Sequence, residues 1–257
     1  LPSEVRHEYG GLVWNFGFGD PLGSVATLLS YPEVFRLLYE DPKFLHELLE
    51  FYTMSTIPWI QAVEQVFIRA GLTPPRLFTA GEIIPMLSPI HAKEFCLPYL
   101  SRIYGASQSP IKVFHCDNRV GHMTDVITNL GANVYFGNFS DYSVLKQAFG
   151  NKMALMGNVP SVDILTEGSP SDVEECCRWL IARCASGGGF ILSSGGGLDP
   201  FGNTPLENVN AMMRVGEKYG RYPLSVSANT PLARYQAVMS LHFSRKSEES
   251  RRQEELH

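Results

Sequence analysis

Lys112-Val113-Phe114-His115-Cys116-Asp117-Asn118 is the stretch on which the fold of this chain turns. Its first four residues form a short apolar run of the kind that makes a buried parallel strand, and polar groups crowd its carboxyl end. The same pattern recurs outward in both directions. Leu12–Phe16, Arg76–Ala80, Asn133–Phe136, Ala154–Met156 and Phe190–Leu192 are brief, apolar runs, often β-branched or aromatic. Between the runs lie amphipathic helical stretches with recognisable starts. Glu33–Tyr39 opens beside Pro32, Lys43–Phe67 carries Pro58 as a kink, and Ser88–Tyr104 starts Ser-Pro. Ser171–Ala185 begins with a capping box, Ser171 to Glu174, and Thr204–Tyr219 begins Thr-Pro and closes on Gly220.

Strand and helix in alternation predict a parallel α/β fold. Six strands are visible, and periodicity by itself leaves a (β/α)8 barrel and a doubly wound sheet both open. No Gly-rich dinucleotide turn follows the first run, which weighs against a nucleotide-binding sheet.

The chain has 257 residues and a net charge of −5, from 21 basic and 26 acidic residues. That balance excludes a polycationic nucleic-acid binder, and 44 % hydrophobic residues exclude a disordered chain. No window approaches the roughly 20 apolar residues of a membrane span. The five cysteines, Cys96, Cys116, Cys176, Cys177 and Cys184, show no disulfide framework, which predicts a reducing, cytoplasmic setting.

In either parallel architecture ligands bind at the carboxyl ends of the strands. Those ends carry Glu82, then His115, Cys116, Asp117 and Asn118, then Asn138 and Asp141, then Gly157 and Asn158, then Gly195, Gly196 and Gly197. Alternation sends His115 and Asp117 to one side of their strand and Cys116 to the other. A histidine and a carboxylate side by side suit a metal or an acid–base pair, and Glu82 stands one strand back. Ordinary strand-end packing is the competing explanation for each of these taken singly. The Gly195–Gly197 run would let backbone approach a ligand, or would be a simple flexible turn. His7, His46, His91, His122 and His242 lack an acidic or thiol partner at metal spacing and read as surface or packing residues.

Several stretches resemble the uroporphyrinogen decarboxylase superfamily, which also contains cobalamin-dependent methyltransferases. They are Tyr39-Glu40-Asp41-Pro42-Lys43-Phe44, Leu87-Ser88-Pro89 running to Pro98-Tyr99, Leu155-Met156-Gly157-Asn158-Val159, and Thr204-Pro205-Leu206-Glu207-Asn208-Val209. Their order and spacing, over roughly residues 10–222, carry the resemblance. It implies a (β/α)8 barrel over residues 1–222 whose first strands precede the chain. Residues 223–257 are then a C-terminal extension, its end a tail or an exposed helix.

The resemblance also implies a site. In thiol-activating methyltransferases zinc is held by a His-x-Cys strand end and a later Gly-Cys-Gly turn. Here His115 matches, Asp117 stands at the first Cys and Gly196 at the second. In decarboxylases that later position is a histidine, which Gly196 also lacks. The methyl-ether-cleaving branch resembles a pattern of two glutamates and a histidine. Glu94 has the spacing of its second glutamate, although it falls mid-helix, and Glu82 precedes it. The implied metal ligands are thus His115, Glu82, Asp117 and Glu94, with His115, Asp117 and Glu82 as catalytic residues. Asn158, Asp141, Asn138, Gly195, Gly196 and Gly197 would shape the substrate pocket.

The implied activity is zinc-assisted methyl transfer between a small methyl ether or thiol and a corrinoid carried by a partner protein. The alternatives are a tetrapyrrole decarboxylase, for which Arg119 is the nearest strand-end cation, and a barrel that has lost its ligands and only binds.

Overall fold

A computed structural model describes residues 15–196, 203–226 and Tyr235. The chain divides into two compact units. The first comprises residues 1–115 and 125–134, the second residues 116–124 and 135–257.

In the first unit β1 (Asn15–Gly19) leads into α1 (Pro21–Leu29), α2 (Tyr31–Glu40) and the long α3 (Pro42–Arg69). Then come β2 (Arg76–Ala80), α4 (Pro89–Phe95), α5 (Leu97–Ala106) and β3 (Lys112–His115). β1 pairs parallel with β2, and β2 with β3. Gly17 allows the first pairing to be close, since a Cβ there would sit 2.9 Å from the Phe78 carbonyl oxygen.

The first strand lies three residues beyond its expected place. Its apolar signal comes from Leu12–Trp14, which lie outside the described residues, whereas the hydrogen-bonded segment ends at Gly19. The expected single helix Ser88–Tyr104 is two helices. Pro98 lacks an N–H for the helical ladder and sits in the first turn of a new helix after Cys96. Ser88 caps the first of them by accepting from the His91 N–H.

The described core of this unit includes Leu22, Leu45, Leu49, Ile60, Leu77, Leu100 and Phe114, all fully buried. Among them sits the fully buried carboxylate of Glu64 on α3. It accepts from Ser107 Oγ at 2.5 Å, Gln108 N–H at 2.9 Å and Ser109 N–H at 3.1 Å. It thereby satisfies the turn that launches β3, at the end of the strand opposite His115.

The second unit contains α7 (Tyr142–Phe149), β5 (Ala154–Val159), a wide turn of helix at Ser161–Thr166, α8 (Pro170–Cys184), β6 (Phe190–Ser194) and α9 (Leu206–Tyr219). The short α6 (Thr124–Ile127) and β4 (Val134–Phe136) precede them along the chain. β5 and β6 are parallel.

The capping box of α8 forms two residues earlier than expected, between Ser169 and Asp172. Both Ser169 and Ser171 have an acid three residues on, and Pro170 at the first helical position selects the earlier one. Thr204 does not cap α9. Its hydroxyl meets the Thr166 hydroxyl at 3.0 Å, while Asn208 donates to the Leu165 and Gly168 carbonyls.

The hydrogen-bonded order of the strands is their chain order, β1 to β6. A doubly wound sheet reverses direction at a switch point, and a (β/α) barrel wall does not. The strand order therefore selects the TIM-barrel type. Among the described residues no helix is long and apolar enough to cross a membrane.

Candidate metal centre

The first unit brings three strand ends together. Asp20 N–H donates to the Ala80 carbonyl at 2.8 Å, and Gly81 N–H donates to the His115 carbonyl at 2.9 Å. Gly81 leaves room for the Phe114 ring, which a Cβ there would approach to 2.4 Å. With the backbone so pinned, Glu82 and His115 face each other, Nε2 to Oε1, at 3.7 Å. The imidazole also lies against Phe78, with centroids 5.4 Å apart and planes 30° apart, which restricts its rotation.

Asp117 follows His115 by two residues, so the chain itself sets its place on the same side. Both are half-buried, while Cys116 between them is fully buried. One ligand atom from each of Glu82, His115 and Asp117 lies within 4.8 Å of the others. The donor set suits zinc: one imidazole nitrogen and two carboxylates, whose charges match a divalent ion. The 3.7 Å separation of Nε2 and Oε1 is close to the roughly 3.4 Å edge of a tetrahedron with bonds of about 2.1 Å.

Asp20 was not singled out by its sequence, yet it stands at the end of β1. It is 1 % exposed and caps α1, accepting from Gly23 N–H at 3.0 Å. Burial is the main reason its carboxyl is pushed up to about 7, and the charge of Glu82 adds to this. The available signal was Gly19-Asp20-Pro21, an N-cap acid ahead of a first-turn proline. It is legible once the strand is taken to end at Gly19.

In the second unit Asp117 is held by its backbone, its carbonyl accepting from Phe139 N–H at 3.1 Å. Gly196 lies against its side chain. A Cβ at 196 would stand 3.0 and 3.2 Å from the two carboxylate oxygens, and φ there is +69°. Gly195 lies against Asn138 in the same way, 2.6 Å from Oδ1. Gly197 lies outside the described residues.

Asn158 is fully buried, and its amide donates to the Asn138 and Ser140 carbonyls. Asp141 is used as a helix cap, accepting from the Ser143 N–H and hydroxyl. Asn158 thus spends its amide nitrogen on protein partners, and Asp141 spends one carboxylate oxygen, Oδ1.

Glu94 does not join the cluster. It is an exposed residue of α4, and its carboxylate lies 3.7 Å from His46 Nε2. His46 stacks on Phe95 and meets the Tyr99 hydroxyl at 2.6 Å.

Comparisons with known proteins bear on the family and the fold. Residues 5–219 match the family described as "Uroporphyrinogen decarboxylase (URO-D)". The chain belongs to this family. A uroporphyrinogen decarboxylase of Coxiella burnetii is 26 % identical over 206 residues, covering 77 % of this chain and 53 % of the relative. One from Idiomarina loihiensis is 26 % identical over 232 residues, covering 84 % and 61 %. The chain thus spans little more than half the length of these URO-D relatives. A solved structure, a methyltransferase from Methanosarcina mazei, shares the fold with a TM-score of 0.66 at 22 % identity. It is covered over 62 % of its length, and this chain over 85 %. The relatives named above are decarboxylases, and the solved structure that shares the fold is a methyltransferase.

Proposed function

We propose that this chain holds a zinc ion with Glu82, His115 and Asp117 and serves a methyltransferase. It would move a methyl group between a small methyl ether or thiol and a corrinoid on a partner protein. The observation that carries this reading is the convergence of one imidazole and two carboxylates within 4.8 Å at strand ends. The fold shared with a methyltransferase supports it.

His115 would bind through Nε2 in its neutral form, with its ring held on Phe78. Glu82 and Asp117 would supply the negative charge and orient the ion. Zinc bound there would act as a Lewis acid toward an ether oxygen or a thiolate. Three protein ligands leave a fourth position for substrate, and Gly196, without a side chain, leaves room beside the Asp117 carboxylate oxygens. Five free, buried thiols among the described residues suit a reducing compartment, so we place the protein in the cytoplasm.

A second reading, tetrapyrrole decarboxylation, is favoured by the names of the curated relatives. It would use cations such as Arg119 for the substrate's carboxylates and would need no metal.

The experiment is a paired assay on the purified chain. Free cob(I)alamin stands in for the partner, with an aryl methyl ether or a methyl thioether as donor. The expected result is methyl transfer that a zinc chelator abolishes and that His115→Ala lowers at least about 100-fold. Chelator-insensitive turnover of uroporphyrinogen, without methyl transfer, would replace this reading by the second.

A further inference from the structure

The match to the family ends at residue 219, but the second unit contains a buried side chain from well beyond it. Tyr235 is 0 % exposed, its ring against Trp179 with centroids 4.7 Å apart. Its hydroxyl donates to Asn158 Oδ1 at 2.7 Å and accepts from Tyr142 N–H at 3.4 Å. Burial pushes this phenol well above its ordinary value, so it stays protonated and remains a donor.

Asn158 is therefore fully determined. Its oxygen accepts from the phenol, and its amide nitrogen donates to Asn138 O at 2.9 Å and Ser140 O at 2.8 Å. The loop held in this way holds the next one. Phe139 N–H donates to the Asp117 carbonyl at 3.1 Å. Ser140 Oγ accepts from Val120 N–H at 3.1 Å and donates to the Asn118 carbonyl at 3.4 Å.

We propose that Tyr235 is a positioning residue for the candidate metal centre. Through Asn158 and the 138–140 loop it fixes the backbone of residues 117–120, and so the direction of the Asp117 carboxylate. Its consequence for metal binding rests on the reading of Asp117 as a ligand, whereas its consequence for the loop does not. A buried relay suits this task, because each of its members has its hydrogen bonds satisfied within a low-dielectric interior and shifts only at a cost.

The test uses the full chain and Tyr235→Phe, which keeps the ring on Trp179 and removes only the hydroxyl. Two properties are read: zinc affinity by competition with a chromophoric chelator, and amide hydrogen exchange of the metal-free protein. We expect zinc affinity to fall about 10- to 100-fold, as for loss of a group that orients a ligand. Exchange in peptides covering 116–120 and 138–142 should rise about tenfold, while peptides of α2 and α3 keep their wild-type rates. Tyr235→Ala should show the same selective changes together with a lower Tm.

Wild-type exchange in both loops of Tyr235→Phe would overturn the proposal, as would a uniform rise that includes α2 and α3. If the wild-type chain takes up no zinc, the metal reading of Asp117 fails, and the exchange result alone decides the positioning role.

Discussion

Asp20→Asn should make the metal-free protein more stable than wild type at pH 8 and no more stable at pH 4. The carboxyl is 1 % exposed and its folded-state value is pushed up to about 7, against an ordinary value of 3.8. Burial is the first cause. Between these two values the unfolded chain has released its proton and the folded chain still holds one. The unfolded state then binds fewer protons, so stability falls as pH rises through this window and levels off above it. A shift of about three units corresponds to at most about 4 kcal/mol, because water entry and relaxation at the ionised group reduce the cost. Asn is nearly the same shape, keeps an oxygen for the Gly23 N–H and has no charge to bury. Chemical denaturation of both proteins from pH 4 to pH 8 measures the difference. It should grow with pH in favour of the variant, and parallel curves would show that Asp20 ionises freely in the fold.

Glu64→Ala has the other large expected effect, a loss of about 3–5 kcal/mol. The carboxylate is fully buried and accepts three hydrogen bonds from Ser107, Gln108 and Ser109. Truncation leaves the Ser107 hydroxyl and the Gln108 N–H without their acceptor in the interior, leaves Ser109 N–H with only Ser107 Oγ, and opens a void as well. Glu64→Gln should cost less, about 1–3 kcal/mol, since one oxygen survives while the new NH2 faces donors. At about 2–4 °C per kcal/mol, Glu64→Ala should lower Tm by roughly 10 °C. A Tm within about 2 °C of wild type would mean that the Ser107–Ser109 turn finds other partners.

The sequence revealed more of the fold than of the site, for identifiable physical reasons. Arg76–Ala80 and Lys112–His115 were located to the residue because a buried parallel strand is apolar on both faces and bounded by turn residues. Ala154–Met156 was found but extends to Val159, since Gly157 and Asn158 read as turn residues while lying in the ladder. Barrel and doubly wound sheet differ in strand order, which is a long-range property that local periodicity does not carry.

His115 and Glu82 were legible as polar groups at neighbouring strand ends, and Asp117 followed from alternation. Glu94 had the right spacing from His115, but spacing along a chain says nothing about direction, and a helix turns it toward His46. Asp141 caps a helix, and because an N-cap acid and a ligand-binding acid occupy the same place after a strand, its position in the sequence does not separate the two roles. Tyr235 was hidden for a different reason. Its partner Asn158 is 77 residues away, and nothing near Tyr235 in sequence marks it as buried.

The central claim is that Glu82, His115 and Asp117 form one zinc site. Cobalt(II) and zinc titration of the purified chain beside His115→Ala tests it most directly. Wild type should bind one equivalent with micromolar or tighter affinity, the cobalt form should show the absorption of a low-coordinate nitrogen–oxygen site, and His115→Ala should bind none stoichiometrically. Equal metal uptake by the two proteins, or none by the wild type, would contradict it.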